Sequence, residues 1–363
     1  MSDINLRIPG PTPLPPEVIE ALSQPMISHR GPEYIQLHKE IIEMAKLFFQ
    51  TNNDLFIFTS SGTGMMEASL VNTVSPGECI LAVSIGKFGD RFSDAAKAFG
   101  FDVHDLIFPM GEAAQPELVA KTYASITNCK AVILTHNETS SAITNNLSKI
   151  TTAVRQYGDP LFIVDSVSGI GNLDLPVDEL QLDVVFTSSQ KAWMTPPGIA
   201  LVSVSSKAWR AYENSKSFKY YFDFKKMKKY NDKHQTPETP AVSTLFALHA
   251  ALKRMTAFGV KETFAYYANM AAYARKQLIE NGFTLYGDIT HASNTVSAIH
   301  VPDGVDDKTF RSHLKQTYGV ILSGGIGSLE GKIIRVAHMG WVTKEDIDEV
   351  INSMVMTRKD LLS

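Results

Sequence analysis

A chain of 363 residues is long enough for two domains and a large core, and with 44% hydrophobic and 20% charged residues it has the composition of a folded protein, not a disordered one. Its formal net charge of -4 argues against a nucleic-acid partner, which demands a basic face to displace counterions. No stretch reaches membrane-spanning length and the first ten residues hold no apolar core of signal-peptide length, so the sequence points to a cytoplasmic protein with no membrane partner.

The opening residues, with Pro9, Pro11, Pro13, Pro15 and Pro16 around Gly10, can form neither a helix nor an inner strand and read as an extended arm over 1–15. Helices over 17–22 and 33–49 follow, separated by a loop at 27–32. A strand over 55–59 then runs into Ser61, Gly62, Thr63 and Gly64 and a helix over 65–72. Strand, glycine turn and helix leave unpaired amides that suit an anion such as phosphate. The spacing alone is weak evidence. Glu67 stands where the third glycine of a dinucleotide-binding loop would fall, and as a bare motif a plain tight turn is the better reading.

Alternation continues with strands over 79–85, 101–108, 131–134 and 161–164, and with helices ending at 99 and spanning 116–126 and 147–157 between them. Repeated βα units of this kind make a mostly parallel sheet with helices on both faces. Cys79 and Cys129, the only cysteines, fall at or just before strand starts and read as core thiols in a reducing compartment. The ten histidines show no ligand spacing, and no metal is expected.

The apolar run from Leu182 breaks into Thr187, Ser188, Ser189, Gln190 and Lys191 ahead of Pro196 and Pro197, which fits a strand buried on both faces that delivers a lysine onto a constrained turn. In a semi-apolar cleft the ammonium form is disfavoured, and such a lysine can form a Schiff base. A lone lysine more often snorkels to solvent. The neighbours favour the cleft: Ser61–Gly64, Phe88, Thr139, Asp165 and Lys191 all fall just past the carboxyl ends of strands, where ligands of such sheets bind.

After a returning strand over 199–204, Tyr220, Tyr221, Phe222 and Phe224 precede Lys225, Lys226, Lys228 and Lys229. We read a solvated lysine-rich face beside a half-buried aromatic patch, in preference to a cationic rim that draws in acidic substrates. The prolines of 236–240 mark a boundary between a large domain, 16–240, and a smaller α+β domain, 241–363. The latter is expected to hold helices over 242–258, 261–280, 306–318 and 344–358, the last capped by Thr343, and strands over 283–286, 295–300, 320–322 and 332–337.

A lysine, a carboxylate, a phosphate cradle and an aromatic stacking residue are the four parts that pyridoxal phosphate needs. With the segments Ile8-Pro9-Gly10-Pro11-Thr12, His29-Arg30-Gly31-Pro32-Glu33-Tyr34, Ser61-Gly62-Thr63-Gly64, Gly86-Lys87-Phe88-Gly89-Asp90-Arg91, Thr135-His136-Asn137-Glu138-Thr139-Ser140, Val164-Asp165-Ser166-Val167-Ser168, Ser189-Gln190-Lys191, Thr236-Pro237-Glu238-Thr239-Pro240 and Gly331-Lys332-Ile333-Ile334-Arg335-Val336 in this order, the chain resembles the class V, fold-type I pyridoxal-phosphate aminotransferases. The likeness is to their serine-pyruvate and alanine-glyoxylate branch and covers essentially the whole chain.

The resemblance implies an α/β fold-type I architecture, pyridoxal 5'-phosphate as cofactor, and a homodimer whose active site is shared between subunits. It implies transfer of the amino group of a small amino acid, serine or alanine, to a small 2-oxo acid, glyoxylate or pyruvate. Lys191 is implied to carry the cofactor and shuttle the Cα proton, Asp165 to pair with the ring nitrogen, Phe88 and Val167 to cover the ring faces, and Thr139 to bond the ring hydroxyl. Ser61, Gly62, Thr63, Gly64 and Gln190 are implied to hold the phosphate, with Thr236 and Thr239 reaching across from the second subunit. Arg335 and Gly10 are implied to receive the substrate.

Two positions depart from the common pattern. Trp193 stands where a smaller aliphatic residue is usual, and Glu238 where an aromatic or apolar one is common; a charge there, near the mouth, disfavours aspartate-like donors. The alternatives are a broad aspartate/2-oxoglutarate aminotransferase, a lyase or desulfurase, whose loop cysteine has no counterpart after Cys129, and a non-enzymatic regulatory relative, whose expected loss of the lysine or arginine is absent here. A nicotinamide oxidoreductase falls with the glycine fingerprint.

Overall fold

Apolar side chains alternate between the two faces of the inner strands, and each face has its own helical cover. The computed structural model describes residues 4–363, so residues 1–3 of the expected arm lie outside the described residues. The chain runs β1 (Asn5–Arg7), α1 (Pro16–Leu22), α2 (Pro32–Phe49), β2 (Asp54–Ser60), α3 (Gly62–Thr73), β3 (Cys79–Ser84), α4 (Lys87–Ala98), β4 (Asp102–Ile107), α5 (Pro116–Ser125) and β5 (Cys129–Thr135). A small hairpin of β6 (Asn137–Glu138) and β7 (Ile143–Thr144) precedes α6 (Leu147–Arg155), β8 (Leu161–Asp165), β9 (Val184–Ser188), β10 (Gly198–Val204), α7 (Ser206–Asn214) and α8 (Phe224–Asn231). The chain closes with α9 (Val242–Phe258), α10 (Val260–Glu280), β11 (Val296–His300), α11 (Asp307–Tyr318), β12 (Val320–Gly324), β13 (Ile333–Ala337) and α12 (Lys344–Leu362).

Seven strands form the larger sheet in the order β2-β10-β9-β8-β5-β3-β4, all parallel except β10, which returns between β2 and β9. Leu55, Ile57, Leu81, Val132 and Val164 join the core under α2, α5, α6 and α9. Phe56, Phe58, Ile80, Ile133 and Phe186 join the core under α3, α4, α7 and α8. Each fully buried phenylalanine contributes about 1.5–3 kcal/mol, so these two layers dominate the fold's stability. The expected parallel sheet with helices on both faces is present. Its consequence for function is that β2, β3, β5, β8 and β9 all end on one edge, at Ser60, Ser84, Thr135, Asp165 and Ser188.

The second sheet, β1-β12-β13-β11, packs against α10, α11 and α12. Three residues of the proline-rich arm contribute its edge: Asn5, Leu6 and Arg7 pair in parallel with Val320, Ile321 and Leu322. Arg7 fixes this edge by donating to the Trp341 carbonyl and pairing with Asp346 at 2.8 Å. The expected strand over 283–286 shrinks to a single bridge between Leu285 and Ile299.

The packing partner changes along α10, whose Val260 and Phe264 still pack against the core of the larger sheet. Leu245, Leu248 and Leu252 of α9 lie in the core of the larger sheet, whereas Met270, Ala274 and Leu278 of α10 lie in that of the smaller one. The prolines break the chain without carrying it off the larger sheet. Helices α7 and α8 escaped the sequence reading because both are short, with nine and eight residues, and the aromatic and lysine residues there read as a surface patch. Three of the four lysines of α8 are paired: Lys225 with Glu213, Lys226 with Glu238 and Lys228 with Asp54. Thr343 caps α12 as expected, in a box with Asp346.

Candidate active site

The segments that follow β2, β3, β5, β8 and β9 at the carboxyl edge of the larger sheet set the site. After β2, Ser61 caps α3, its hydroxyl accepting from the Gly64 amide at 3.4 Å, which leaves the first amides of the helix without an intrahelical partner. Gly62 is required by close packing, since a Cβ there would lie 2.5 Å from Cγ2 of Val167. After β3, α4 begins at Lys87, earlier than expected, so Phe88 sits in its first turn. A residue that the sequence reading gave no role holds it there. The buried carboxylate of Glu138 accepts from the amides of Phe88 at 2.9 Å, Gly89 at 3.2 Å and Ser140 at 3.0 Å, and from the Ser140 hydroxyl at 2.6 Å. Burial pushes the Glu138 carboxyl upward and these four bonds oppose it.

Asp165, the last residue of β8, is buried, with Oδ1 accepting from the Val167 amide at 2.8 Å. Burial raises its carboxyl from 3.8 to about 7, against the pull of that bond and of Lys191. Lys191 follows β9 on a turn and donates to the Pro9 carbonyl; Thr12 closes the contact, its amide bonding Gln190 O at 3.1 Å and its hydroxyl Lys191 O at 3.0 Å. The arm therefore crosses directly over the lysine. Gly10, at φ +100°, has no room for a side chain: a Cβ would lie 2.7–2.9 Å from Cδ, Nζ and Cε of Lys191. Burial, opposed by Asp165, lowers the lysine to about 8. Lys191 and Asp165 line one cavity, together with Phe88, Asn137, Thr139, Val167 and Ser168.

Arg335, buried on β13, bridges the two sheets, donating to Gly324 O and Thr139 O, each at 2.9 Å. Among the described residues its second terminal nitrogen has no protein partner. Arg91 was also missed; it lies 5.0 Å from the Phe88 ring centre and 3.5 Å from the Thr63 hydroxyl. Thr236 and Thr239 do not line this chain's cavity. Thr236 is buried with its hydroxyl on Glu238 O, Thr239 is exposed, and Arg30 holds the loop through the carbonyls of Thr236 and Pro237. Trp193 points away from the site into the core, bonded to the Thr187 hydroxyl at 3.1 Å and packed on Phe48 and Phe49. The aminotransferase class-V family model matches residues 4–350.

The chain belongs to the class V aminotransferase family. Over 358 residues, 98% of this chain and 93% of the other, this aminotransferase is 38% identical to a protein of Anabaena cylindrica described as the 42 kDa subunit of a soluble hydrogenase. It is 33% identical to an L-aspartate–glyoxylate aminotransferase of Paracoccus denitrificans and 33% identical to a serine–glyoxylate aminotransferase of Methylorubrum extorquens, in each case over 93% of this chain and 86% of the relative. A solved alanine–glyoxylate aminotransferase from Nostoc superposes with a TM-score of 0.94 at 27% identity, covering 99% of this chain and 96% of that one.

Family membership makes this protein an enzyme of transamination with pyridoxal 5'-phosphate as its cofactor. The residues present fit that group. A buried carboxyl with one amide partner calls for a cation such as a protonated ring nitrogen. At the start of α3, amides without an intrahelical partner lie beside the buried Ser188 hydroxyl, which has no partner among the described residues, and a phosphate would accept from both.

Proposed function

We propose that this aminotransferase moves the amino group of a small amino acid, serine or alanine, to glyoxylate or pyruvate, with Lys191 as the covalent anchor and proton carrier. The observation that carries the reading is the shared cavity of Lys191 and Asp165, two groups whose burial brings their ionisation toward neutrality from opposite directions. When bound, the cofactor supplies an aldehyde that links to amines and a ring that accepts the electron pair left at Cα.

The chain's own residues do the rest. Lys191, whose ammonium form burial disfavours, takes the Cα proton of the substrate and returns one on the other side of the exchange. Asp165 would hold the ring nitrogen in its protonated form, and the positive charge there would in turn keep Asp165 ionised. Phe88, Val167 and Thr139 line the same cavity, where the first two would cover the cofactor ring and keep water out and Thr139 would bond it. Ser61, Gly62, Thr63, Gly64 and Gln190 hold the phosphate, with Arg91 adding a positive charge beside Thr63. Arg335 offers its unpaired nitrogen to the substrate carboxylate. Pro9 and Gly10, packed against Lys191, leave little room beside it, which favours a short substrate side chain.

A second reading is an acidic donor. Glu238 is ion-paired with Lys226, so its charge is compensated and no longer argues against aspartate. We further propose a cytoplasmic homodimer in which the Thr236–Thr239 loop serves the neighbouring site. Free buried cysteines fit a reducing compartment, and the buried His38 ring nitrogens, beside His234 just ahead of this loop, have no partner among the described residues. A panel of serine, alanine and aspartate against glyoxylate, pyruvate and 2-oxoglutarate, read by the spectrum of the bound cofactor, tests the substrate assignment. Serine or alanine with glyoxylate or pyruvate should turn over fastest, and a clear preference for aspartate with 2-oxoglutarate would overturn it.

A further inference from the structure

We propose that Cys79, Cys129 and His104, with Asp102, form a zinc site at the opposite end of the larger sheet from the cofactor pocket. Cys79 opens β3, in register with Cys129 at the start of β5 on one side and with Asp102 at the start of β4 on the other. Registered residues on parallel neighbours face the same way, so two thiols and a carboxylate form a row, and His104, two residues beyond Asp102, joins them on that face. Cys79 Sγ, a carboxylate oxygen of Asp102 and a ring nitrogen of His104 lie within 4.8 Å of one another. The Cys129 thiol, in register with Cys79 on the neighbouring strand, donates weakly to the Ala131 carbonyl at 3.4 Å, a contact that a metal ion would replace. His104 Nε2 stands 3.6 Å from Asp102 Oδ2, too far for a hydrogen bond, so neither satisfies the other.

The ligand chemistry selects the ion. Two thiolates, an imidazole and a carboxylate suit a tetrahedral zinc ion and disfavour calcium or magnesium. With bonds of about 2.3 Å to sulfur and about 2.0–2.1 Å to nitrogen or oxygen, tetrahedral ligands stand about 3.3–3.8 Å apart. The observed span closes to that by rotation of His104 and Asp102, which are exposed, while the thiols beneath them are buried. That arrangement gives an ion a path from solvent to a site anchored in the core. Each thiol gives up its proton to solvent as zinc binds, so affinity rises with pH. The ion would tie down β4, whose side chains are largely exposed and offer few apolar anchors to the sheet edge. No linear motif announces the site, because strand register alone assembles it.

The test uses the reduced full-length holoenzyme, stripped with a chelator and then given Zn2+ or, as a spectroscopic probe, Co2+. Zinc should stay bound through dialysis at a ratio of one per chain, and Co2+ should give intense tetrahedral d–d bands in the visible, clear of the cofactor. Cys79→Ser and Cys129→Ser should abolish the bands, and His104→Ala should weaken binding about tenfold or more. Transamination by Cys79→Ser should be unchanged, which confirms that the variant folds. If the serine variants do not fold, the wild type still decides: Zn2+ should slow alkylation of both cysteines by iodoacetamide. Weak octahedral bands, equal bands in the serine variants, or alkylation at the same rate with and without Zn2+ would overturn the proposal.

Discussion

Replacing Asp165 with asparagine should move stability and activity in opposite directions. In the cofactor-free chain burial raises this carboxyl from 3.8 to about 7. At 1.36 kcal/mol per pH unit, keeping it ionised above pH 7 costs about 4 kcal/mol. Between these two values the folded chain holds a proton that the unfolded chain has released, so stability falls as pH rises through the window and stays low above it. Asparagine keeps the acceptor for the Val167 amide and carries no charge. Allowing for the lost attraction to Lys191, the variant should be more stable than wild type by about 2–4 kcal/mol at about pH 8, and no more stable near pH 4. On the role proposed for Asp165 opposite the ring nitrogen, kcat of the holoenzyme should fall about a hundred- to a thousandfold. Urea unfolding of cofactor-free wild type and Asp165→Asn at the two pH values, beside kcat of the loaded enzymes, is the assay. A variant that is less stable at the higher pH, or that keeps its kcat, would refute the reasoning.

Arg335→Gln removes a charge-assisted contact worth about 1.5–3 kcal/mol, so kcat/KM for both the amino and the oxo acid should drop about 10–150-fold, whereas unchanged steady-state kinetics would take Arg335 out of the site. Gly10→Ala forces a Cβ against Lys191 at a positive φ and should cost about 1–2 kcal/mol together with a loss of kcat; a silent substitution would mean that the arm does not press on the lysine. Trp193→Ala should lower stability by about 3–5 kcal/mol yet leave kcat of the folded enzyme near wild type, and the reverse pattern in calorimetry and kinetics would contradict its place in the core.

Much of the site was legible because its parts follow strand ends, and buried parallel strands announce themselves as apolar runs. Asp165 and Lys191 could be placed on one edge from β8 and β9 alone. What escaped depends on contacts between distant segments. Asn5–Arg7 looked like part of a bare arm, since its strand exists only by pairing with β12, more than three hundred residues later. Glu138 looked like any polar residue of a loop, and its role rests on the amides of α4 that it collects. Trp193 read as a departure near the lysine, but Phe48 and Phe49 of α2 supply the pocket that a larger ring fills. The prolines of 236–240 marked a break in the chain but not the change of packing partner, which is set by which apolar face α9 turns to the larger sheet.

The most direct measurement is borohydride reduction of the holoenzyme followed by peptide mass mapping. The cofactor's mass should appear on the peptide carrying Lys191, and Lys191→Ala should show neither the adduct nor transamination. An adduct on a different lysine in the wild type, or full activity in the alanine variant, would contradict the account.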